Sequence, residues 1–113
     1  MIAHIVLFEP KPDLTETDRQ QLLDGLRAAA REIPSVRRLR YGRRVRHGLP
    51  GYEQMMRDEY SFAALIEFET LEDLRAYLAH PAHALIGRHF MESSVRALAY
   101  DYSLLDAADG IDA

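Results

Sequence analysis

Residues 68–83 of the chain read FETLEDLRAYLAHPAH, and they join the end of an apolar strand to two helical segments. Thr70 followed by Asp73 is a capping-box pattern, which predicts that a helix begins just after Thr70. The apolar stripe of this helix comprises Leu71, Leu74 and Leu78. Pro81 interrupts the helix, but proline is tolerated in a first helical turn. A second helical segment is therefore predicted to start at Pro81 and to carry Leu85, Ile86 and Phe90.

Apolar residues on both sides of this stretch alternate as they do in strands. Within residues 61–69, one face carries Phe62, Ala64, Ile66 and Phe68, and the other carries Ala63 and Leu65. Within residues 2–8, one face carries Ile2, His4, Val6 and Phe8, and the other carries Ile5 and Leu7. Both segments are predicted to be strands that are buried on both faces. Residues 95–105 are predicted to form the last strand.

A helix and another strand lie between the strand segments 2–8 and 61–69. Thr15 with Asp18 repeats the capping-box pattern and Pro34 ends the helical spacing, so a helix is predicted from about Thr15 to Ile33. Residues 36–46 alternate loosely between apolar residues and arginines. This pattern predicts a strand that is exposed to solvent on one face, with Gly42 as a candidate bulge. Residues 47–60 have no sustained period and are predicted to form a loop.

The resulting order is β-α-β-β-α-β, the order of an α+β ferredoxin-like domain in which two helices cover one face of an antiparallel sheet. The other face is apolar as well. We therefore expect it to lie in a homodimer, to line a cavity, or to do both when two sheets join. The domain is predicted to comprise residues 1–105, and residues 106–113 are predicted to form an acidic, unstructured tail.

Length and composition exclude several classes of protein. The 113 residues fit one domain, and the absence of cysteine excludes disulfides, a thiolate nucleophile and a Cys-ligated metal. No apolar run approaches the roughly 20 residues of a membrane helix and no secretory signal is recognisable, so a cytoplasmic protein with no membrane partner is expected. The net charge of −4 argues against a nucleic-acid partner. RNA-recognition domains share the topology, but Ala63 and Leu65 stand where those domains need aromatic residues.

Three local sequences together resemble one protein family. They are the run from His4 to Phe8, the run from Phe68 to His83, and Tyr100-Asp101-Tyr102 in the last predicted strand. On these residues the chain resembles the stress-responsive dimeric α+β barrel (Dabb) family over residues 1 to about 105. The resemblance implies a ferredoxin-like protomer whose sheet pairs with that of a second copy to close a barrel. It also implies a small apolar ligand cavity in each protomer.

The run from Tyr77 to His83 is similar to that of polyketide cyclases in this family. The resemblance implies that Tyr77 binds a substrate carbonyl, that His83 is the general base, and that His4 lies close to the same pocket. Phe62 stands where those cyclases have a histidine, and the loop before Phe62 is longer than the corresponding loop of the cyclases. The residues predicted to contact a small apolar or polyketide-like ligand are His4, Phe62, Met55 and Met56.

The chemistry of Tyr77 and His83 can also be inferred without the resemblance. His83 stands three residues before Ile86 and seven before Phe90, so helical spacing places it on the inward stripe, while Tyr77 lies at the edge of the preceding stripe. A neutral histidine accepts a proton, and a phenol hydrogen-bonds an oxygen that gains negative charge. This pair suffices for enolisation and aldol closure by a cyclase-like or lyase-like enzyme that needs no cofactor.

The alternative is that His83 only hydrogen-bonds backbone and Tyr77 only packs. The protein would then be a non-catalytic stress-responsive or scaffold dimer. His80, His83 and His89 lack a carboxylate at ligand spacing, so no metal site is predicted and His80 is expected to stabilise the helix start.

Six arginines lie close together in the chain: Arg37, Arg38, Arg40, Arg43, Arg44 and Arg46. A solvated strand face explains them most simply. Binding of a phosphate or a carboxylate is the alternative.

Overall fold

The computed structural model describes residues 1–109 of the chain. Its helices and strands are β1 (Ile2–Pro10), α1 (Glu16–Glu32), β2 (Arg38–Arg43), β3 (Phe62–Phe68), α2 (Leu71–Ala79), α3 (Pro81–Ser93) and β4 (Ser94–Ser103). Short 3-10 turns occupy Glu53–Met55 and Ala107–Asp109. The order is the predicted β-α-β-β-α-β with its second helix divided at Pro81, and the ferredoxin-like fold class is confirmed.

The four strands form one antiparallel sheet in the order β2-β3-β1-β4. The position of β1 between β3 and β4 gives its residues from Ile2 to Phe8 a partner on both sides. His4 lies between Ile66 of β3 and Asp101 of β4, while Phe8 lies between Phe62 and Ala97. This register determines which side chains can meet on each face of the sheet.

Local signals in the sequence explain where the helices begin and end. The Thr15 hydroxyl accepts a hydrogen bond from Asp18 N, and the Asp18 carboxylate accepts one from Thr15 N, which completes the predicted capping box of α1. Ile33 is the C-cap residue directly before Pro34. Thr70 caps α2 by accepting a hydrogen bond from Asp73 N. The predictions of both helix starts are confirmed.

Two predictions about β2 are wrong. The strand ends at Arg43 rather than Arg46, because β3 begins at Phe62 and offers no strand partner beyond that point. Arg44 N still donates to Ser61 O, but Val45 is 78% exposed. Gly42 is not a bulge, since the pairing with β3 runs without a shift from Arg38 opposite Glu67 to Arg43 opposite Phe62.

The helices cover one face of the sheet, here called the helix-covered face. Its buried side chains, which include Phe8, Ala64, Ile66 and Phe68, pack with Leu22, Leu26, Leu74, Ile86 and Phe90 from the helices. The opposite face, here called the open face, carries Ile5, Leu7, Leu65, Leu98, Tyr100 and Tyr102. Leu98, Tyr100 and Tyr102 are exposed. The predicted burial of β1 on both faces is therefore only partial within one protomer.

The loop between β2 and β3 contains the Glu53–Met55 turn and two glycines with positive φ, Gly48 at 74° and Gly51 at 87°. In the predicted tail, Ala107–Asp109 forms a short turn, and residues 110–113 lie outside the described residues. None of the helices in residues 1–109 is both long and apolar enough to cross a membrane.

Candidate functional site

The break between α2 and α3 brings Tyr77 and His83 together. Tyr77 lies in the last turn of α2 and is 2% exposed, whereas His83 lies in the first turn of α3 and is half-buried. His80 caps α3, because its Nδ1 accepts a hydrogen bond from Ala82 N at 3.1 Å. The centroids of the Tyr77 and His83 rings are 4.7 Å apart. A polar pair thus lies at the end of the apolar core.

His4 reaches the same place from β1. Its ring centroid lies 5.8 Å from that of Tyr77 and 6.4 Å from that of His83, and its side chain is almost fully buried. His4 Nδ1 lies 2.5 Å from the Asp101 carboxylate, which faces it across the β1–β4 pair. In neutral His4 the carboxylate accepts the proton on Nδ1, so Nε2 carries the free lone pair. The structure therefore brings His4, Tyr77 and His83 into one cluster, with Asp101 as a fourth member.

The surroundings of the cluster shift two pKa values. Burial is the largest cause that lowers the pKa of His83 below its ordinary value of 6.5, and the charge on His4 lowers that pKa further. The backbone carbonyl of Leu78 acts in the opposite direction. Burial raises the pKa of Tyr77 to about 12. At neutral pH, His83 is thus a neutral proton acceptor and Tyr77 is a protonated donor.

An NMR titration of the histidine rings tests this arrangement. The midpoint for His83 should lie below 6.5, and His4→Gln should move it upward while burial keeps it below 6.5. As the pH falls, His83 becomes protonated at a higher pH in the unfolded state than in the folded state. The stability contributed by neutral His83 is therefore complete above pH 6.5. It is lost as the pH falls through the lower folded-state pKa. His47→Gln, in the exposed loop, is the control and should leave the His83 midpoint unchanged; an equal shift in both variants would contradict the contact between His4 and His83.

The other predicted ligand contacts lie elsewhere. Phe62 stacks on Phe8 at 5.4 Å between ring centroids, and Phe8 is four residues, roughly 13 Å, along β1 from His4. Met55 lies in the exposed 3-10 turn, and Met56 is an exposed residue next to it. The structure does not bring Phe62, Met55 or Met56 together with His4, Tyr77 and His83.

Two cavities open near Phe62. One, of about 300 Å³, lies between the first half of α1 and the helix-covered face and is lined by Phe8, Leu14, Leu22 and Leu26 among others. The other, of about 780 Å³, lies at the β2 end of the sheet and includes Met56 in its lining. His4, Tyr77 and His83 line neither cavity. Phe8 packs against both Phe62 and Phe90, and Phe8 and Phe62 are part of the lining of the smaller cavity.

His80 has the structural role predicted for it, since it caps α3. Within the part of the chain that the structure describes, no group of three or more His, Asp or Glu side chains is placed to hold a metal ion. Four of the six clustered arginines form ion pairs: Arg37 with Glu69, Arg40 with Glu67, and both Arg44 and Arg46 with Glu59.

Asp101 is the member of the cluster that reasoning from the sequence missed as a site residue. It stands between Tyr100 and Tyr102, and strand alternation alone places it on the opposite face from those two tyrosines. An acidic residue on the helix-covered side of a strand is a signal for a polar partner. That partner becomes identifiable only once the register sets Asp101 opposite His4.

The chain is similar to one known protein in sequence and to others in structure. The olivetolic acid cyclase of Cannabis sativa is 21% identical over 102 residues, which cover 90% of this chain and 95% of the cyclase. The hydroxynitrile lyase of Passiflora edulis has a TM-score of 0.79 at 13% identity, covering 93% of this chain and 94% of the lyase. A dimeric ferredoxin-like protein of unknown function from Thermobifida fusca has a TM-score of 0.71 at 22% identity, covering 91% of this chain and 90% of that protein. At these identities the structural similarity shows the fold alone.

A four-stranded antiparallel sheet with helices on one face and an apolar open face defines a ferredoxin-like α+β domain. The family model of the Stress responsive A/B Barrel Domain, Dabb, matches residues 2–104. The chain belongs to the Dabb family.

Proposed function

We propose that this protein is a homodimeric small-molecule enzyme in which His83 is the general base and Tyr77 is the hydrogen-bond donor. The observation that carries the proposal is the contact between the Tyr77 and His83 rings, next to the pair formed by His4 and Asp101. A proton acceptor and a phenol donor side by side fit cofactor-independent chemistry on an enolisable carbonyl compound. The names of two relatives, a cyclase and a lyase, are consistent with this class of chemistry.

The proposed reaction begins with a proton transfer. His83 removes a proton from the carbon next to a carbonyl group, and the electron pair of the C–H bond moves onto the carbonyl oxygen. Tyr77 donates a hydrogen bond to that oxygen as its negative charge develops. In a cyclase the resulting enolate attacks a second carbonyl of the same substrate and forms a C–C bond. The protonated His83 then returns its proton to the new alkoxide.

The cluster is accessible from the side of β4. Ala97, Ala99 and Asp101 lie on the same face of the sheet as His4, and yet all three are exposed. Alanine side chains leave space above this strand, and His83 itself is only half-buried. A ligand that approaches over β4 would therefore reach His83 before it reaches Tyr77.

The homodimer is proposed from the open face. Leu98, Tyr100 and Tyr102 alternate along β4 on this face and are exposed, so they form a continuous apolar surface rather than isolated hydrophobic residues. The structural relative from Thermobifida fusca is described as dimeric. Pairing of two open faces would bury the aromatic side chains of β4 and close a barrel.

A non-catalytic stress-responsive or scaffold dimer is the second candidate. One observation favours it: the two cavities near Phe62 do not include His4, Tyr77 or His83 in their lining. A scaffold needs a filled core and no reactive pair. The two candidates differ in whether Tyr77 and His83 act on any substrate.

Turnover of a substrate panel tests the proposal. The panel contains poly-β-keto thioesters and simple β-keto thioesters, and the proposal expects product from at least one class. Tyr77→Phe should then lower kcat about 100-fold, on the order of 3 kcal/mol, with a smaller change in KM, because the hydroxyl acts mainly on the developing charge. Tyr52→Phe, at an exposed loop position, is the control and should keep full activity. Neither binding nor turnover across the panel would favour the scaffold.

A further inference from the structure

Residues 56–60, the last part of the loop between β2 and β3, lie along one end of the open face and are here called the rim. Met56 and Tyr60 of the rim line the cavity of about 780 Å³ together with Leu7 and Leu65, which belong to the open face. The open face therefore forms part of the floor of this cavity, and the rim is a wall at its edge.

The rim is fastened on both sides of the sheet. Next to the end of β2, the Glu59 carboxylate pairs with Arg44 at 2.5 Å and with Arg46 at 2.7 Å. From β4, Arg96 donates a hydrogen bond to the carbonyl oxygen of Glu59 at 2.6 Å. The Arg96 guanidinium also lies over the Tyr60 ring, 5.4 Å from its centroid. The rim thus spans the width of the sheet from β2 to β4.

The central strand β1 holds the residue that follows the rim. The Glu9 carboxylate accepts hydrogen bonds from Ser61 N and from Ser61 Oγ, both at 2.8 Å. Arg96 lies opposite Glu9 in the β1–β4 pair and two positions before Leu98, so strand alternation places these contacts on the side of the open face. The rim therefore has a fixed position relative to the sheet, and it loses little conformational entropy when it meets a partner.

Apolar side chains are exposed along this fixed segment. Met56 is 59% exposed, and Met55, just before it in the 3-10 turn, is 72% exposed. Because Met56 and Leu7 line the same cavity, the apolar surface of the rim continues that of the open face. We infer that the rim is part of an interface with a second copy of this chain, and that its contact determines how the two open faces are oriented.

The inference rests on the proposed homodimer and adds to it a surface outside the sheet. A second copy fits the rim because its own open face is apolar and matches the exposed methionines. Arg44 and Glu59 are already paired within the protomer, so a second copy can cover them without burying an unpaired charge there. A wall at one end of each open face also limits the directions in which a second sheet can lie on it.

Met56→Asp tests the inference, with Met91→Asp as its matched control. Met56→Asp should raise the dissociation constant of the dimer by about tenfold or more, because it places an unpaired charge in the interface. Met91 is 76% exposed on α3, away from the open face, so the same substitution there should leave the constant unchanged. Sedimentation over a dilution series measures the constant, and circular dichroism checks the fold.

Hydrogen exchange gives a second measurement that does not alter the rim. The amides of residues 56–60 should exchange about tenfold or more slowly in the wild-type dimer than in the dissociated Tyr100→Asp variant, which keeps the contacts that fasten the rim. Residues 85–91 of α3 should exchange equally in both.

The outcomes separate the inference from the homodimer. If Tyr100→Asp dissociates the dimer but Met56→Asp does not and the rim exchanges equally in both states, the homodimer stands and the inference is overturned. Equal weakening by Met56→Asp and Met91→Asp also overturns it. A monomeric wild-type protein would overturn the proposed homodimer and the inference together.

Discussion

Replacement of His83 by glutamine is expected to lower kcat/KM for an enolisable substrate by a factor of about 10² to 10⁴, because it removes the proton acceptor itself. Glutamine has a similar size and can keep a hydrogen bond to backbone, so the fold should survive. The loss should exceed that of Tyr77→Phe, which removes only a hydroxyl. Turnover of the panel compound that the wild-type protein converts best, measured with circular dichroism and molecular mass, checks the result.

The pH dependence gives this variant a second readout. In the wild-type protein, kcat/KM should fall as the pH drops through the pKa of His83, because a protonated ring cannot accept the substrate proton. Since burial and His4 lower this pKa, the fall should occur below pH 6.5. His89→Gln changes another histidine of α3 outside the ring contacts of the cluster and should keep the wild-type rate and profile. If His83→Gln lowers only the melting temperature and leaves turnover intact, His83 is a structural residue.

Replacement of Tyr100 by aspartate is expected to dissociate the homodimer. Tyr100 is 56% exposed on the open face of the protomer, so the substitution should leave the protomer folded. In a symmetric dimer both protomers bring the new charge into the same interface, and burial of an unpaired charge costs several kcal/mol. The mass measured by light scattering at micromolar concentration should therefore fall from about twice the protomer mass of 12.9 kDa to that of a single protomer.

Leu85→Asp is the matched control for this experiment. Leu85 is 53% exposed, which is close to the exposed fraction of Tyr100, but it lies on α3 at the opposite side of the molecule from the open face. This variant should remain a dimer. A wild-type protein that is folded and monomeric would contradict the proposed assembly, and dissociation of both variants would show that the open face is not the specific interface.

The helix boundaries were predictable because each depends on residues that are close in the sequence. Thr15 and Thr70 cap their helices through the residue three positions later, and the bend between α2 and α3 depends on the neighbours His80 and Pro81. Tyr77 and His83 are six positions apart across that bend. Helical spacing on either side of Pro81 is therefore enough to predict that these two side chains approach each other.

The features that sequence reasoning missed depend on pairing between distant residues. The end of β2 is determined by where β3 starts, 19 positions after Arg43, and this also decides that Gly42 pairs regularly with Ala63. The contact between His4 and Asp101 joins residues 97 positions apart. The separation of Phe62 from the cluster likewise follows from its place opposite Phe8 rather than opposite His4. Alternation predicts a face of the sheet, whereas only the register predicts a neighbour.

The unequal outer strands of the sheet bear on how the chain avoids aggregation. β2 is six residues long and rich in arginine, so it is a poor template for a strand from another molecule. β4 is ten residues long and combines apolar and aromatic residues with few charges. Protomers released from the proposed homodimer would therefore join through the free backbone groups of β4. Association of two open faces in that homodimer would then protect the chain against filament growth.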